Sequence, residues 1–557
     1  GGTTISQGTL QLGDGTTNGS ITGNVVNNGT LAFHLTGSTY DFAGDISGTG
    51  SLVQNSSVTV RLGGTNTFIG GVAVNSGVLT IGTGGSTGSI TSDVVNNAIL
   101  IFNRTADSTY AGKISGTGAV YKVASNTLTL TGTNTYTGAT YLQGGLVEFS
   151  SLSNLGTGGA LNFVGGGLRW AAGSTTDVST RIVLIDVGGA TFDTNGNNVA
   201  LAGSIGNSGA GALTKTGSGT LTLSGAGTWT GGTNINGGTL SLNHASAIGA
   251  AGTIGFGGGT LQFSLSNTTD YSSRFSTAAG QEYRLDVPTN LTVTLASPLS
   301  SSGGRLVKTG AGTLTVSGAN TYSGGTDIDE GTLSLGSSSA LGSSGTIRFG
   351  GGTLRFTSAN TNDYSARLSG DAGQAYSFDM NVQSVTFASA LTSSGGTLSI
   401  RGNGALVLTG ANTFTGTSTV TNAALQIGDG GTTGSIAGGV SLASTGYLDF
   451  KRSDTHTHSG AISGSGQVRN VGSGTTVLTG ALTYTGATTV TAGTLQFGGG
   501  GSLSPTTAPS PSTLPAPPTT SRATSAAPAA WSRTAASRCG WGAPTPSAAG
   551  SPSIRAC

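Results

Sequence analysis

Residues 219–242 read GTLTLSGAGTWTGGTNINGGTLSL, and residues 312–335 read GTLTVSGANTYSGGTDIDEGTLSL. Each opens and closes on a short run in which an apolar residue alternates with Thr or Ser. That period of two marks a strand with one buried face. Thr and Val favour such strands because a branched Cβ packs well on a pleated surface. Between the runs stand one aromatic, a Gly-Gly pair and an Asn or Asp, the residues of tight turns. No stretch of the chain shows a convincing 3.6-residue period.

The central phrase recurs as GGTNTFIGG (63–71), TGTNTYTGAT (131–140), GAGTWTGG (225–232), GANTYSGG (318–325), GANTFTGTS (410–418) and GALTYTGAT (480–488). Its aromatics, Phe68, Tyr136, Trp229, Tyr322, Phe414 and Tyr484, follow one another at intervals of 68, 93, 93, 92 and 70 along the chain. The long unit also carries DVSTR, DYSSR and DYSAR, beginning at Asp177, Asp270 and Asp363, followed in step by Asp193, Asp286 and Asp379. The short unit carries GSITGNVVNNGTLAF (19–33), GSITSDVVNNAILIF (88–102) and a looser GSIAGGVSLASTGYLDF (434–450). Phe42, Tyr110 and His458 occupy one matching position in it, so His458 is expected to replace a flat ring.

Such agreement points to internal duplication and a repeat architecture. Mixed unit lengths fit a propeller poorly, and the chain is too long for one sandwich. A parallel β-helix with coils of about 20 to 25 residues accommodates both units. On that reading the long interval makes four coils, the short one makes three, and the phrase aromatics sit equivalently in their coils. Stacked about 4.8 Å apart, some 22 coils form a rod about 100 Å long.

Composition agrees. Glycine contributes 101 of 557 residues, and only 8% are Asp, Glu, Lys or Arg, against about 25% in ordinary soluble domains. A formal net charge of +1 provides no electrostatic footprint for nucleic acid or an anionic membrane. No run approaches the roughly 18 consecutive apolar residues of a membrane span, so a transmembrane helix is not expected. Cys539 and Cys557 both lie near the C-terminus, which excludes a disulfide scaffold for the body. The expected domains are a repetitive body over 1–502 and a Pro/Ala/Ser/Thr-rich tail over 503–557, whose composition reads as disordered. A natural stalk and an out-of-frame segment both account for that tail.

The residues able to carry chemistry follow the repeat as well. G-x-S-x-G, H-E-x-x-H, P-loop and paired-cysteine metal motifs are absent. Of His34, His244, His456 and His458, the last two share a strand face as THTH, yet no third metal ligand accompanies them. Asp177, Asp270 and Asp363 recur in step with the fold, about 19 Å apart on the four-coil reading. Glycoside hydrolysis needs two carboxyls within about 9.5 Å. These aspartates are therefore expected to be turn acceptors or partners of Arg181, Arg274 and Arg367. GDGTTNGS (13–20) and GDGGTTGS (428–435) suggest calcium turns, but Asx turns explain them with less. The expected catalytic, cofactor and metal residues are accordingly none.

The run G-T-L-x-L-x-G, N-T-Y-T-G, x-T-x-V-x-x-G-T-L resembles the autotransporter-associated β-strand repeat, also called the passenger-associated transport repeat, of large secreted proteins in Gram-negative bacteria. The version at 405–427 departs from it at Ala423. The resemblance covers roughly residues 1–500. It implies a right-handed parallel β-helical passenger, secreted or displayed outside the outer membrane, with a β-barrel anchor and an export signal. No barrel-like series of strands follows residue 500, and no signal core precedes the repeats. The function implied is a non-enzymatic, rod-like stalk with an adhesive role, its partners a host or neighbouring-cell surface or a polysaccharide. The alternatives are a β-helical polysaccharide-cleaving enzyme and a truncated product with no function of its own.

Overall fold

The computed structural model describes residues 2–498. They form an all-β parallel solenoid of strands two to five residues long, broken by four single-turn 3-10 segments. The tail at 503–557 lies outside the described residues. Three strands make one coil. Between Ser51–Gln54 and its ladder partner Val72–Val74, the chain passes through Thr59–Leu62 and Thr65–Asn66, which belong to two other sheets. Coil length varies: the ladder pairs Thr59 with Val78 in a short coil and Thr260 with Arg284 in a long one. About 23 coil steps of 4.8 Å give a body about 110 Å long.

Alternation places the core. In Thr220–Leu223 the burial pattern is intermediate, buried, intermediate, buried, so Leu221 and Leu223 point inward and the threonines outward. The same pattern repeats in Thr127–Leu130 and Thr313–Val316. One continuous column of Leu, Ile, Val and Phe results. Each inward residue packs against its counterparts in the coils above and below.

The units do not contain the whole number of coils expected of them. Leu221 is followed up its ladder by Leu240, Leu261, Leu285 and Lys308, four coils on. Its repeat counterpart, Leu314, comes six residues after Lys308 and belongs to a different ladder, between Val293 and Leu333. The long unit is thus four coils plus one face. The short unit behaves alike: Val60, Leu79, Leu100 and Val120 stack, whereas the counterpart of Val60 is Leu128, in the ladder of Ser108 and Val147. The six phrase aromatics therefore advance one face per unit and do not share one angle about the axis. A three-faced coil offers much the same surroundings after a third of a turn, so duplication need not close on itself.

Locally the aromatics remain equivalent. Phe68, Tyr136, Trp229, Tyr322 and Phe414 are wholly buried, and Tyr484 nearly so. The hydroxyls of Tyr136, Tyr322 and Tyr484 share a hydrogen bond with Thr140, Thr326 and Thr488, at 2.7, 2.7 and 2.6 Å. Trp229 Nε1 donates to the Gly232 carbonyl at 2.8 Å. A buried phenol or indole needs such a partner. The glycine that follows has a separate cause. At Gly138 a Cβ would run into the Gly118 carbonyl oxygen of the coil below. Two coils can approach here only without a side chain.

Gly138→Ala is expected to lower stability by about 1–3 kcal/mol through this overpacking. Gly85→Ala, where nothing lies within 4 Å of the added methyl, should stay within about 0.5 kcal/mol of the parent. Denaturant midpoints of the two variants check the contrast.

Candidate functional site

The repeated aspartates sit just before the 3-10 segments Ser179–Arg181, Ser272–Arg274 and Ser365–Arg367. Asp177, Asp270 and Asp363 each accept from the backbone N–H two residues on, at 2.8 Å in all three. The second oxygen of each reaches the next coil, accepting from Ala202, Ala296 and Ala388 N–H at 3.0, 2.8 and 2.9 Å. The turn-acceptor reading holds, with an added role as a clip between coils. Because the units advance by one face, the three clips also lie on three different faces.

The expected arginine partners are different. Arg181 donates to the carbonyls of Gly159, Gly156 and Leu155, at 2.9, 3.0 and 2.8 Å. Arg367 does the same with Gly345, Gly342, Leu341 and Ser344. Arg274 reaches Gly252 and Ala251. A guanidinium's fork of donors suits the several carbonyls left free where a loop turns between coils.

The second aspartate set also serves the fold, with varied partners. Asp193 accepts from Asn195 N–H at 2.9 Å, and Asp286 from Gln262 Nε2 at 2.8 Å. Asp379 lies 2.9 Å from Arg355 Nε and 3.6 Å from Arg401 Nε. At 13–20, Asp14 accepts from Thr16 and Thr17 N–H at 2.8 and 2.6 Å, an Asx turn that holds its carboxyl well down, to about 2. His244 Nδ1 accepts from Ser246 N–H, while His456 and His458 point into the core. Among the described residues no group of three or more His, Cys, Asp or Glu is placed to hold a metal ion.

A set of residues missed in the sequence is Lys122, Lys215 and Lys308, evenly spaced by the long interval and almost wholly buried. Lys215 Nζ donates to the carbonyls of Thr216, Gly217 and Gly237, at 2.7, 2.8 and 3.1 Å. Lys308 binds Thr309, Gly310 and Glu330 likewise, and Lys122 binds Ala124 and Gly144. Burial pushes all three amines down to about 8. The short units place Gln54 and Asn470 at the same corner, also donating to carbonyls. A donor recurs at this position in five of the six units, and Ile400 holds it in the other. The residue type varies, which hid it from motif reading.

One unrepeated cluster spans five coils. Glu282, Arg305, Asp327, Arg348 and Asp371 occupy successive coils of one face and alternate in sign. Arg305 Nη2 lies 2.7 Å from Asp327 Oδ2, and Arg348 Nε lies 3.2 Å from Asp371 Oδ2. One unit earlier the places of Arg305, Asp327, Arg348 and Asp371 are held by Ala212, Asn234, Gly255 and Ala278. Arg348 and Asp371 border an open cleft of about 440 Å³ with Gly345, Arg367 and Gly370. Their side chains are 45% and 64% exposed, so this pair adds little stability. Asp327 is half-buried, and burial raises its carboxyl's affinity for a proton. Arginines separate the carboxylates, an arrangement suited to gripping a polar ligand and poorly suited to paired acid–base work.

Seven segments match the Passenger-associated-transport-repeat model: 1–12, 47–81, 125–148, 213–242, 306–335, 401–427 and 471–497. The chain thus carries passenger-associated transport repeats on a β-solenoid fold. It is 37% identical over 171 residues to the Adhesin BmaC autotransporter of Brucella suis biovar 1 (strain 1330). That match covers 29% of this chain and 5% of the relative, so the chain spans a small part of the relative's length. No solved structure matches the chain significantly.

Lys215→Met should destabilise the protein by about 2–4 kcal/mol, because three corner carbonyls lose their donor. Lys215→Gln, which copies the donor type of Gln54, should recover part of that loss. Equilibrium unfolding of both variants gives the comparison.

Proposed function

We propose that this chain of passenger-associated transport repeats serves as a non-enzymatic rod at the surface of a Gram-negative cell, or secreted from it, and makes adhesive contact along its length. The observation that carries this reading is the separation of roles among its charged residues. The repeated aspartates, arginines and lysines are committed to clips and turns between coils. The unrepeated charges from Glu282 to Asp371 are free of that duty, and Arg348 and Asp371 among them are exposed. A polar, weakly charged solenoid with an unrepeated local stripe of alternating sign fits a binding surface better than a reaction centre. Similarity to an adhesin autotransporter over 171 residues supports the same direction.

The contacted surface is a host cell, a neighbouring cell or a polysaccharide coat.

Two measurements test the reading. In scattering, the full chain should give a maximum dimension above about 110 Å and a radius of gyration well beyond the roughly 24 Å of a 557-residue globule. Immobilised protein should retain cells or polysaccharide without cleaving the latter. Arg348→Ala/Asp371→Ala should weaken retention several-fold, leave the melting temperature unchanged and remove most of its salt dependence. Polysaccharide turnover, or retention indifferent to this pair, would contradict the assignment.

A further inference from the structure

The short units share a small aromatic arrangement inside the core. Phe33 packs against Tyr40 with ring centroids 5.8 Å apart, and Phe102 against Tyr110 at 5.5 Å. In the third short unit the corresponding phenylalanine, Phe450, meets two imidazoles, His456 at 6.0 Å and His458 at 5.8 Å. His458 occupies the place of Phe42 and Tyr110, and His456 that of Tyr40 and Ser108. Both lie on the inward side of Thr455–His458, with relative exposures of 8% and 1%. The ring-replacement reading of His458 therefore holds.

An imidazole differs from the ring it replaces in carrying two nitrogens. His456 Nε2 and both nitrogens of His458 are buried and find no hydrogen-bond partner among the described residues. By contrast, the Tyr110 hydroxyl donates to the Ser92 carbonyl at 2.7 Å. The surroundings supply little that would welcome a proton. Ladder partners Thr476 and Leu478 lie in the following coil, and Ile436 in the preceding one. The Ile436 backbone is near enough to favour the protonated His458 slightly, short of hydrogen-bond geometry. Of the charged groups that act on His456, Arg452 disfavours its proton and Asp454 favours it. Those two are themselves joined, at 2.8 and 2.7 Å. Asp449 and Arg469 pair with each other at 2.6 Å. A charge on His456 also disfavours one on His458.

We propose that His456 and His458 form an acid-sensitive joint, at which protonation loosens the coils around 450–478 while the rest of the rod stays intact. A proton on His456 Nε2 or on either nitrogen of His458 creates a charge in an apolar column with no acceptor at hydrogen-bond geometry, and the coil must open to hydrate it. The other two short units lack this response because phenylalanine and tyrosine do not titrate there.

The direction follows from linkage. Burial lowers both histidines in the folded chain, His458 to about 4, against about 6.5 when the coil is open. Between these values the open form binds more protons. Stability of the coil is thus whole above a pH of about 6.5 and falls as pH drops toward about 4, each histidine raising the opening constant by up to about tenfold per pH unit.

Hydrogen exchange of the full chain, followed by mass spectrometry at pH 7.5 and pH 5.0 and corrected for intrinsic rates, tests this. Protection in 455–478 should fall by at least about tenfold at the lower pH, while protection in the counterpart coil at 39–62 holds. His456→Tyr/His458→Phe, which restores the rings of the first short unit, should abolish the acid response. The reciprocal Phe42→His should confer it on 39–62, and serves if the double variant fails to fold. Equal protection of 455–478 at both pH values, or an acid response that survives the double variant, would overturn the proposal.

Discussion

Stacking one coil on another at the spacing of a β-ladder is the constraint from which the rest of this molecule follows. Each coil presents its backbone N–H and C=O groups to the coils above and below, and side chains of like position meet their counterparts about every 4.8 Å. The strands hold only two to five residues, so much of the chain lies in corners, where ladder bonding is interrupted. Buried backbone groups left unpaired there would cost as much as lost hydrogen bonds. The fold therefore depends on how its corners are satisfied. Lys215, Lys308, Arg181 and Arg367 donate to corner carbonyls, and Asp177, Asp270 and Asp363 accept from N–H groups of the next coil.

This demand separates structure from function among the charged side chains. A residue that repeats with the unit and bonds to backbone is committed to the corner. Placing a catalytic group there would remove a clip. The unrepeated stripe from Glu282 to Asp371 carries no such duty: Arg348 and Asp371 are bonded to each other and open to solvent. Surface recognition can change on such a face without disturbing the coils. The histidine pair shows the opposite case, a substitution within the core that leaves the packing geometry in place and alters its response to acid.

Much of this was legible in the residues. Alternation in TLTL and TLSL set the inward and outward faces, and the recurring phrase announced the solenoid. The committed role of Asp177, Asp270 and Asp363 followed from their recurrence. What escaped was angle. The long interval divides as readily into four whole coils as into four coils and a further face, because coil length is not fixed: Thr59 reaches Val78 in one coil, and Thr260 reaches Arg284 in another. Only the pairing of Leu285 with Lys308, six residues before Leu314, decides it. The buried lysines escaped because the corner position varies in type: Gln54, Lys122 and Asn470 share no motif, and Ile400 takes the place in another unit. The charged stripe escaped because its members stand a full coil apart in the chain and meet only when the coils are stacked.

The advance by one face per unit is the most specific consequence of the account, and distances between paired spin labels test it directly. With Cys539 and Cys557 replaced by Ser, labels are placed on the outward positions Thr222, Thr309 and Thr315. Thr222 and Thr309 belong to one column, linked through Ser241, Gln262 and Asp286. Their backbones should lie about 19 Å apart, the height of four coils. Thr222 and Thr315, repeat counterparts one long unit apart, should be farther apart, because the step to the neighbouring face adds a displacement at right angles to that height. A Thr222–Thr315 distance of about 19 Å, the height of four stacked coils, with Thr222–Thr309 the longer, would contradict the fractional-coil solenoid.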